Sequence, residues 1–241
     1  MNFENIIRGY IRNIFNFLGY NVTRKLINPI IFNKINLVFD VGANAGQYVK
    51  NLRRDGYRGD VVSFEPLTSA YKLLTNASGG DANWTVHKRC ALGAQDGVAI
   101  INIARNSCSS SLLPMLERHS SVASDSITIG QEETEVITLD SIFDDYANNV
   151  SNVFLKIDTQ GFEHDVLFGS RTSLGKILMV ELELSSTHLY GNQKLADFYF
   201  SFFAEHGFRL WSLTPIFFDF KTGEVLQFDA TFINTRLQPS L

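Results

Sequence analysis

Five short runs in the middle of the chain are too continuously apolar to be strands with one wet face. They are INLVFDVG (35–42), GDVVSFEP (59–66), NWTVHKRCALG (83–93), NVFLKIDTQG (152–161) and KILMVELELS (176–185). Strands buried on both faces belong to parallel sheets with helices packed above and below. Stretches with helical character separate the runs, at about 45–55, 68–78, 140–148, 162–170 and 194–206. That alternation predicts right-handed βαβ units in an α/β domain. The end of the chain changes character: GFRLWSLTP, IFFDFKTGEV and VLQFDATFIN follow one another with a Lys-Thr-Gly turn and no room for a helix. Such connections are hairpins, so the sheet is expected to end in an antiparallel edge.

The chain has 241 residues, 45% of them apolar and 19% charged, enough for one sizeable core. The organisation expected is an amphipathic helical segment at 1–34 and a single domain at 35–241, with one irregular insertion at about 103–135. A net charge of -4 gives no field that favours phosphate backbones, so nucleic acid is not an expected partner. Cys90, Cys108 and the five histidines lack the close spacings of zinc sites, so neither a structural metal nor a disulfide framework is expected, while the acids Asp158 and Glu183 leave a divalent metal open as an alternative. No apolar run approaches the roughly 20 residues that cross a bilayer, and a cytoplasmic location is the simplest expectation. Within 2–18, apolar residues from Phe3 to Leu18 recur at three- and four-residue spacings and make one wide helix face. That face needs cover from the domain, from a second copy in a homodimer, or from a membrane surface touched peripherally.

The first run breaks into Gly42-Ala43-Asn44-Ala45-Gly46 and then reads as a helix. A strand, a glycine turn and a helix N-terminus together bring backbone N–H groups against a ligand. In the dinucleotide fingerprint, further glycines give clearance for a pyrophosphate and close helix packing. Asn44 and Gln47 occupy those places here, so the ligand should lack a diphosphate. Asp40, at the strand end, would repel phosphate and attract an ammonium group, which S-adenosylmethionine carries along with a sulfonium. Glu65 closes the second run, where a carboxylate can accept both hydroxyls of a ribose.

The strings FDVGANAGQY, SFEP, ALG, NSCSSSL, TLDSIF and FLKIDTQGFEHDVLFG occur in an order and spacing that resemble the FkbM family of S-adenosylmethionine-dependent methyltransferases. The resemblance covers about 36–235, and its most distinctive element is Lys156, Ile157, Asp158, Gly161 and Glu163. It implies a Rossmann-like class I methyltransferase fold: a mostly parallel, doubly wound seven-stranded sheet with an antiparallel C-terminal hairpin edge. It also implies O-methylation of a hydroxyl, with a sugar in a glycan or glycosylated metabolite the expected acceptor. Carried over by position, it puts the donor's methionine part near Asp40, Gly42, Asn44, Gly46 and Tyr48, and its ribose on Glu65. Pro66, Ala91 and Leu92 then flank the adenine, and Ser110 lies in a loop folded over the donor or acceptor. The acid that many related enzymes place after the third strand is missing, since Asp96 falls a few residues late.

Transfer of a methyl from sulfonium to oxygen requires alignment and removal of the hydroxyl proton. Alternation puts Phe154, Lys156 and Asp158 on one face of their strand, and Glu181 and Glu183 on one face of theirs. In neighbouring strands Lys156 would pair with Glu181, while Asp158 and Glu183 reach the edge. Asp158 is therefore the expected base or acceptor orienter, Glu183 its assistant, Lys156 the charge balance and His188 the second candidate base. The competing readings are a NAD-dependent oxidoreductase and a non-catalytic S-adenosylmethionine-binding protein.

Overall fold

The computed structural model describes residues 14, 15, 17 and 27–238. The amphipathic helix expected at the N-terminus, with the docking and membrane contact argued from it, therefore falls outside the described residues except at Ile14, Phe15 and Phe17. Among the described residues no helix is long and apolar enough to cross a membrane.

A short helix, α1 (Pro29–Phe32), precedes the alternating units. These are β1 (Leu37–Val41), α2 (Gln47–Asp55), β2 (Asp60–Phe64), α3 (Thr68–Ser78) and β3 (Trp84–Val86). After an insertion come α5 (Leu139–Ala147), β7 (Val153–Ile157), α6 (Glu163–Phe168), β8 (Ile177–Ser185), α7 (Ala196–Glu205), β9 (Phe208–Asp219) and β10 (Glu224–Asn234). The insertion itself holds β4 (Ala91–Leu92), β5 (Gly97–Ala104), α4 (Glu117–Val122) and β6 (Thr128–Ile137).

The main sheet has seven strands in the order β3-β2-β1-β7-β8-β10-β9. Its first five strands run parallel, and β10 joins antiparallel to both β8 and β9. This is the Rossmann-like class I arrangement. Both faces are covered, which is why β1 and β7 are buried at every position. On one face Phe39, Leu155, Val180 and Phe232 pack with Phe143 of α5 and Phe203 of α7. On the other, Val38, Phe154, Met179 and Ile233 pack with Val49 and Leu52 of α2.

Three expectations change. The run 83–93 is not one strand: β3 belongs to the main sheet, whereas β4 pairs with β6 in a separate three-stranded sheet ordered β4-β6-β5. The 103–135 insertion is only partly irregular, because β5 and β6 form a long antiparallel pair across it. β6 is mostly polar and exposed, and β5 leaves Val98 and Ile100 in water, so neither has the two-sided burial of the main-sheet strands. GFRLWSLTP and IFFDFKTGEV are largely one strand, β9, uninterrupted by Pro215. β9 is an edge strand, the place in a sheet where proline is tolerated.

Candidate active site

Strand register sets the site. Ser63, Asp40, Lys156, Glu181 and Thr231 are in-register partners across β2, β1, β7, β8 and β10, forming a polar rung through an otherwise apolar sheet face. One pleat nearer the C-terminal edge of the parallel strands, Asp158, Glu183 and Asp229 continue the same face. Tyr48 of α2 lies over this face, its ring 4.9 Å from the Lys156 ammonium.

Buried charges persist only when paired. The Lys156 Nζ is 3.2 Å from Asp158 Oδ2 and 3.5 Å from Asp40 Oδ1. The ion pair expected with Glu181 is thus a correction: Glu181 stands beside Lys156 in register but accepts from Thr231 Oγ1 at 3.0 Å instead. Asp40, fully buried, also accepts from Ser63 Oγ at 3.1 Å. Burial raises the Asp40 carboxyl, and Lys156 opposes that rise. Asp40 does not reach the cavity wall, so the direct contact with a donor ammonium expected of it is replaced by fixing Lys156 from below.

A cavity of about 320 Å³ opens above the C-terminal ends of β1, β2, β7 and β8, and the glycine turn lines it. Every backbone N–H of the turn is already used. Gly42 and Ala43 donate to Phe64 O, Asn44 to Glu65 Oε2, Ala45 to the Asn44 side chain and Gly46 to Ala43 O. No nest of free N–H groups remains for a phosphate. Gly42 has φ +78°, and a Cβ there would lie 1.9 Å from Asp158 O. At Gly46, with φ +81°, a Cβ would meet the Trp84 ring at 2.6 Å. Gly46 therefore serves helix packing and is absent from the cavity wall, contrary to its expected place beside the donor.

Glu65 lines the cavity and is buried. It accepts from Asn44 N at 2.7 Å and Leu67 N at 2.8 Å. Two of a carboxylate's lone-pair positions remain for ligand hydroxyls. Burial pushes this carboxyl up to about 7, against the two backbone N–H groups and Lys156. Beyond Glu65 the wall is apolar, formed by Pro66, Ala91, Leu92, Ile101, Leu112 and Phe162. Asp96 is not part of it and instead accepts from Thr138 N at the start of α5.

The insertion supplies the roof. Asn44 Nδ2 donates to Ser107 Oγ at 3.0 Å, and Ser111 Oγ donates to Gln160 O at 2.8 Å. Ser110 lines the cavity, with its hydroxyl accepting from Ala104 N. The opposite wall carries Tyr48, Lys156, Asp158, Gln160, Glu181 and Asp229. Gln160, with φ +57°, and Gly161, with φ +97°, place this loop in left-handed conformations. The buried Glu163 holds it by accepting from Thr159 N and Gly161 N, both at 3.0 Å.

Asp158 keeps 36% of its side chain exposed toward the cavity. Burial would raise its carboxyl, but Lys156 and hydrogen bonds from Glu183 and Gln160 hold it below the usual range. Glu183 is pushed well above its ordinary value by burial and by the neighbouring Asp158, which favours its protonated form. The Gln160 amide bridges the two acids, donating to Asp158 Oδ1 and to Glu183 Oε2. Glu183 itself does not line the cavity, a correction to its expected place at the edge beside the donor. His188, the second candidate base, is exposed and lies outside the lining.

Two contributors escaped the sequence reading. Gln160 links Asp158 to Tyr190, whose hydroxyl donates to Gln160 Oε1 at 2.8 Å. Asp229 comes from the hairpin, where only strand character was legible. Among the described residues no group of acids, histidines and cysteines has the arrangement of a metal site.

The methyltransferase FkbM domain model matches residues 40–210. No curated protein matches the chain. Among solved structures, an rRNA methylase from Streptococcus thermophilus is similar at 10% identity and a TM-score of 0.44, with 84% of this chain and 88% of that one covered. Fibrillarin from Aeropyrum pernix, in complex with natively bound S-adenosylmethionine, is similar at 9% identity and a TM-score of 0.47, covering 86% of this chain and 70% of that one. With 171 consecutive positions from Asp40 to Leu210 spanned by the domain, the chain belongs to the FkbM methyltransferase family, whose methyl donor is S-adenosylmethionine.

Proposed function

We propose that the protein is an O-methyltransferase and that its acceptor is a hydroxyl, with a sugar in a glycan or glycosylated metabolite as the expected class. The observation that carries this reading is the division of the cavity into three chemically distinct parts. An apolar slot from Pro66 to Phe162 suits a flat base. Glu65 has acceptor positions free for ribose hydroxyls. The wall of Asp158, Glu181 and Asp229, facing one lysine, suits a cation such as a sulfonium and leaves carboxylates near any acceptor O–H.

S-adenosylmethionine supplies an electrophilic methyl. The chain orients the acceptor, excludes water beneath the roof of Ser107 to Leu112, and provides carboxylates for the proton. The fully used N–H groups of the glycine turn argue against a dinucleotide, and the acidic wall with a net charge of -4 argues against a nucleic-acid acceptor. Calorimetry with S-adenosylmethionine, adenosylhomocysteine and NAD tests the donor, and binding of NAD alone would overturn the assignment. A labelled-methyl screen over nucleotide-linked sugars, oligosaccharides and polyketides tests the acceptor, with incorporation into a sugar hydroxyl the expected result.

A further inference from the structure

Of the carboxylates on and behind the reactive wall, three are committed. Asp158 is held ionised by Lys156, Gln160 and Glu183, which makes it a weak base. Glu183, its carboxyl pushed up by burial and by Asp158, accepts from Gln160 and stands behind the wall. Glu181 accepts from Thr231 and Tyr48. Asp229 differs from all of them: it lines the cavity, is half-buried, and its side-chain carboxylate accepts no hydrogen bond from any described residue.

We infer that Asp229 of β10 is the proton acceptor at the reaction centre. This rests on the methyltransferase reading above. The acceptor oxygen bonds to the methyl carbon as the carbon–sulfur bond breaks, its electron pair stays on sulfur, and the hydroxyl proton passes to Asp229. Two residues of the chain place the side chain there. Its register partner on β8 is Glu183, and on β9 it faces Thr214, which carries no charge. The charged groups around it are Glu181 and Glu183 of β8, Lys156 of β7 and Asp158 just beyond that strand, with Tyr48 of α2 on the covering side. Burial, Glu181 and Asp158 raise the Asp229 carboxyl to about 7, and Lys156 opposes them. A carboxyl poised near neutrality both ionises and holds a proton at working pH.

The test needs no acceptor. Sinefungin, an adenosine analogue with an amine where the donor carries its sulfonium methyl, and adenosylhomocysteine, with a neutral sulfur there, are titrated calorimetrically into the full chain. Both carry the ribose, so the Glu65 contribution cancels in their affinity ratio. Ionisation of Asp229 should raise the sinefungin preference by about tenfold from about pH 6 to pH 8. In Asp229→Asn the ratio should stay flat, with adenosylhomocysteine affinity within about threefold of wild type. A flat ratio in the wild-type protein would overturn the inference even if the variant does not fold, and so would a rise that survives Asp229→Asn or, should that variant not fold, Asp229→Ser. If neither ligand binds at any pH, the donor assignment itself fails.

Discussion

Glu65 answers two opposed demands. Burial favours its neutral form, while the N–H groups of Asn44 and Leu67 favour the anion, and the carboxyl settles near 7. Ribose hydroxyls would add further donors and tip it toward the anion. In Glu65→Gln, calorimetry should show S-adenosylmethionine affinity reduced by roughly 10- to 100-fold, the range of charge-assisted hydrogen bonds. Lys156 is the counterpart on the sheet face, the cation between Asp40 and Asp158. Lys156→Met leaves both acids unpaired, so urea unfolding near neutral pH should show a loss of about 3–5 kcal/mol. The deficit should shrink at acid pH as Asp40 takes up a proton. For whichever hydroxyl the labelled-methyl assay identifies, Asp229→Asn should slow turnover by about 10² to 10⁴.

At the level of elements, the glycine turn shows how tightly two loops are joined. Gly42→Ala would force a positive φ on alanine and drive its Cβ into Asp158 O, displacing the loop that carries Asp158. The expected result is a destabilisation of about 3–5 kcal/mol by thermal or chemical unfolding. This turn, Glu65 and the Lys156–Glu163 string were legible because each is local: an apolar run, a glycine break and strand alternation place them without knowledge of the rest. The face occupied by Asp40 was harder to read, since proximity to a turn does not reveal which side of the sheet α2 covers. Asp229 was invisible for a topological reason. Its neighbours Phe228 and Ala230 mark it as one polar position in an alternating strand, and only insertion of β10 between β8 and β9 brings it to Glu181. The insertion hid β6 because polar, exposed residues fill most of that strand.

Across the whole molecule, acids are gathered where they are uncomfortable. Glu65, Glu163 and Asp229 all sit near 7, from ordinary values of 4.5, 4.5 and 3.8, each chiefly because it is buried. Between those values and 7 the folded protein binds more protons than the unfolded chain, so stability falls as pH rises. Asp81 and Asp140 act oppositely, their carboxyls being lowered by Arg53 and Ser173 respectively against burial, and their stabilisation is lost as pH falls below about 4. The melting temperature without donor should therefore peak near about pH 4 and stand about 5 °C or more lower at about pH 8. Scanning calorimetry across that range checks the direction. Saturating S-adenosylmethionine should recover part of the loss at high pH.

The place of β10 also matters while the chain is being made. A nascent polypeptide that has emerged only through β8 already holds the glycine turn and Glu65, yet β8 presents a bare hydrogen-bonding edge. That edge stays open to other nascent chains until β10, the final strand to leave the ribosome among those described, folds back between β8 and β9. A message that stops before Glu224 should yield aggregated fragments, and chaperone demand should concentrate in the interval between synthesis of β8 and of β10.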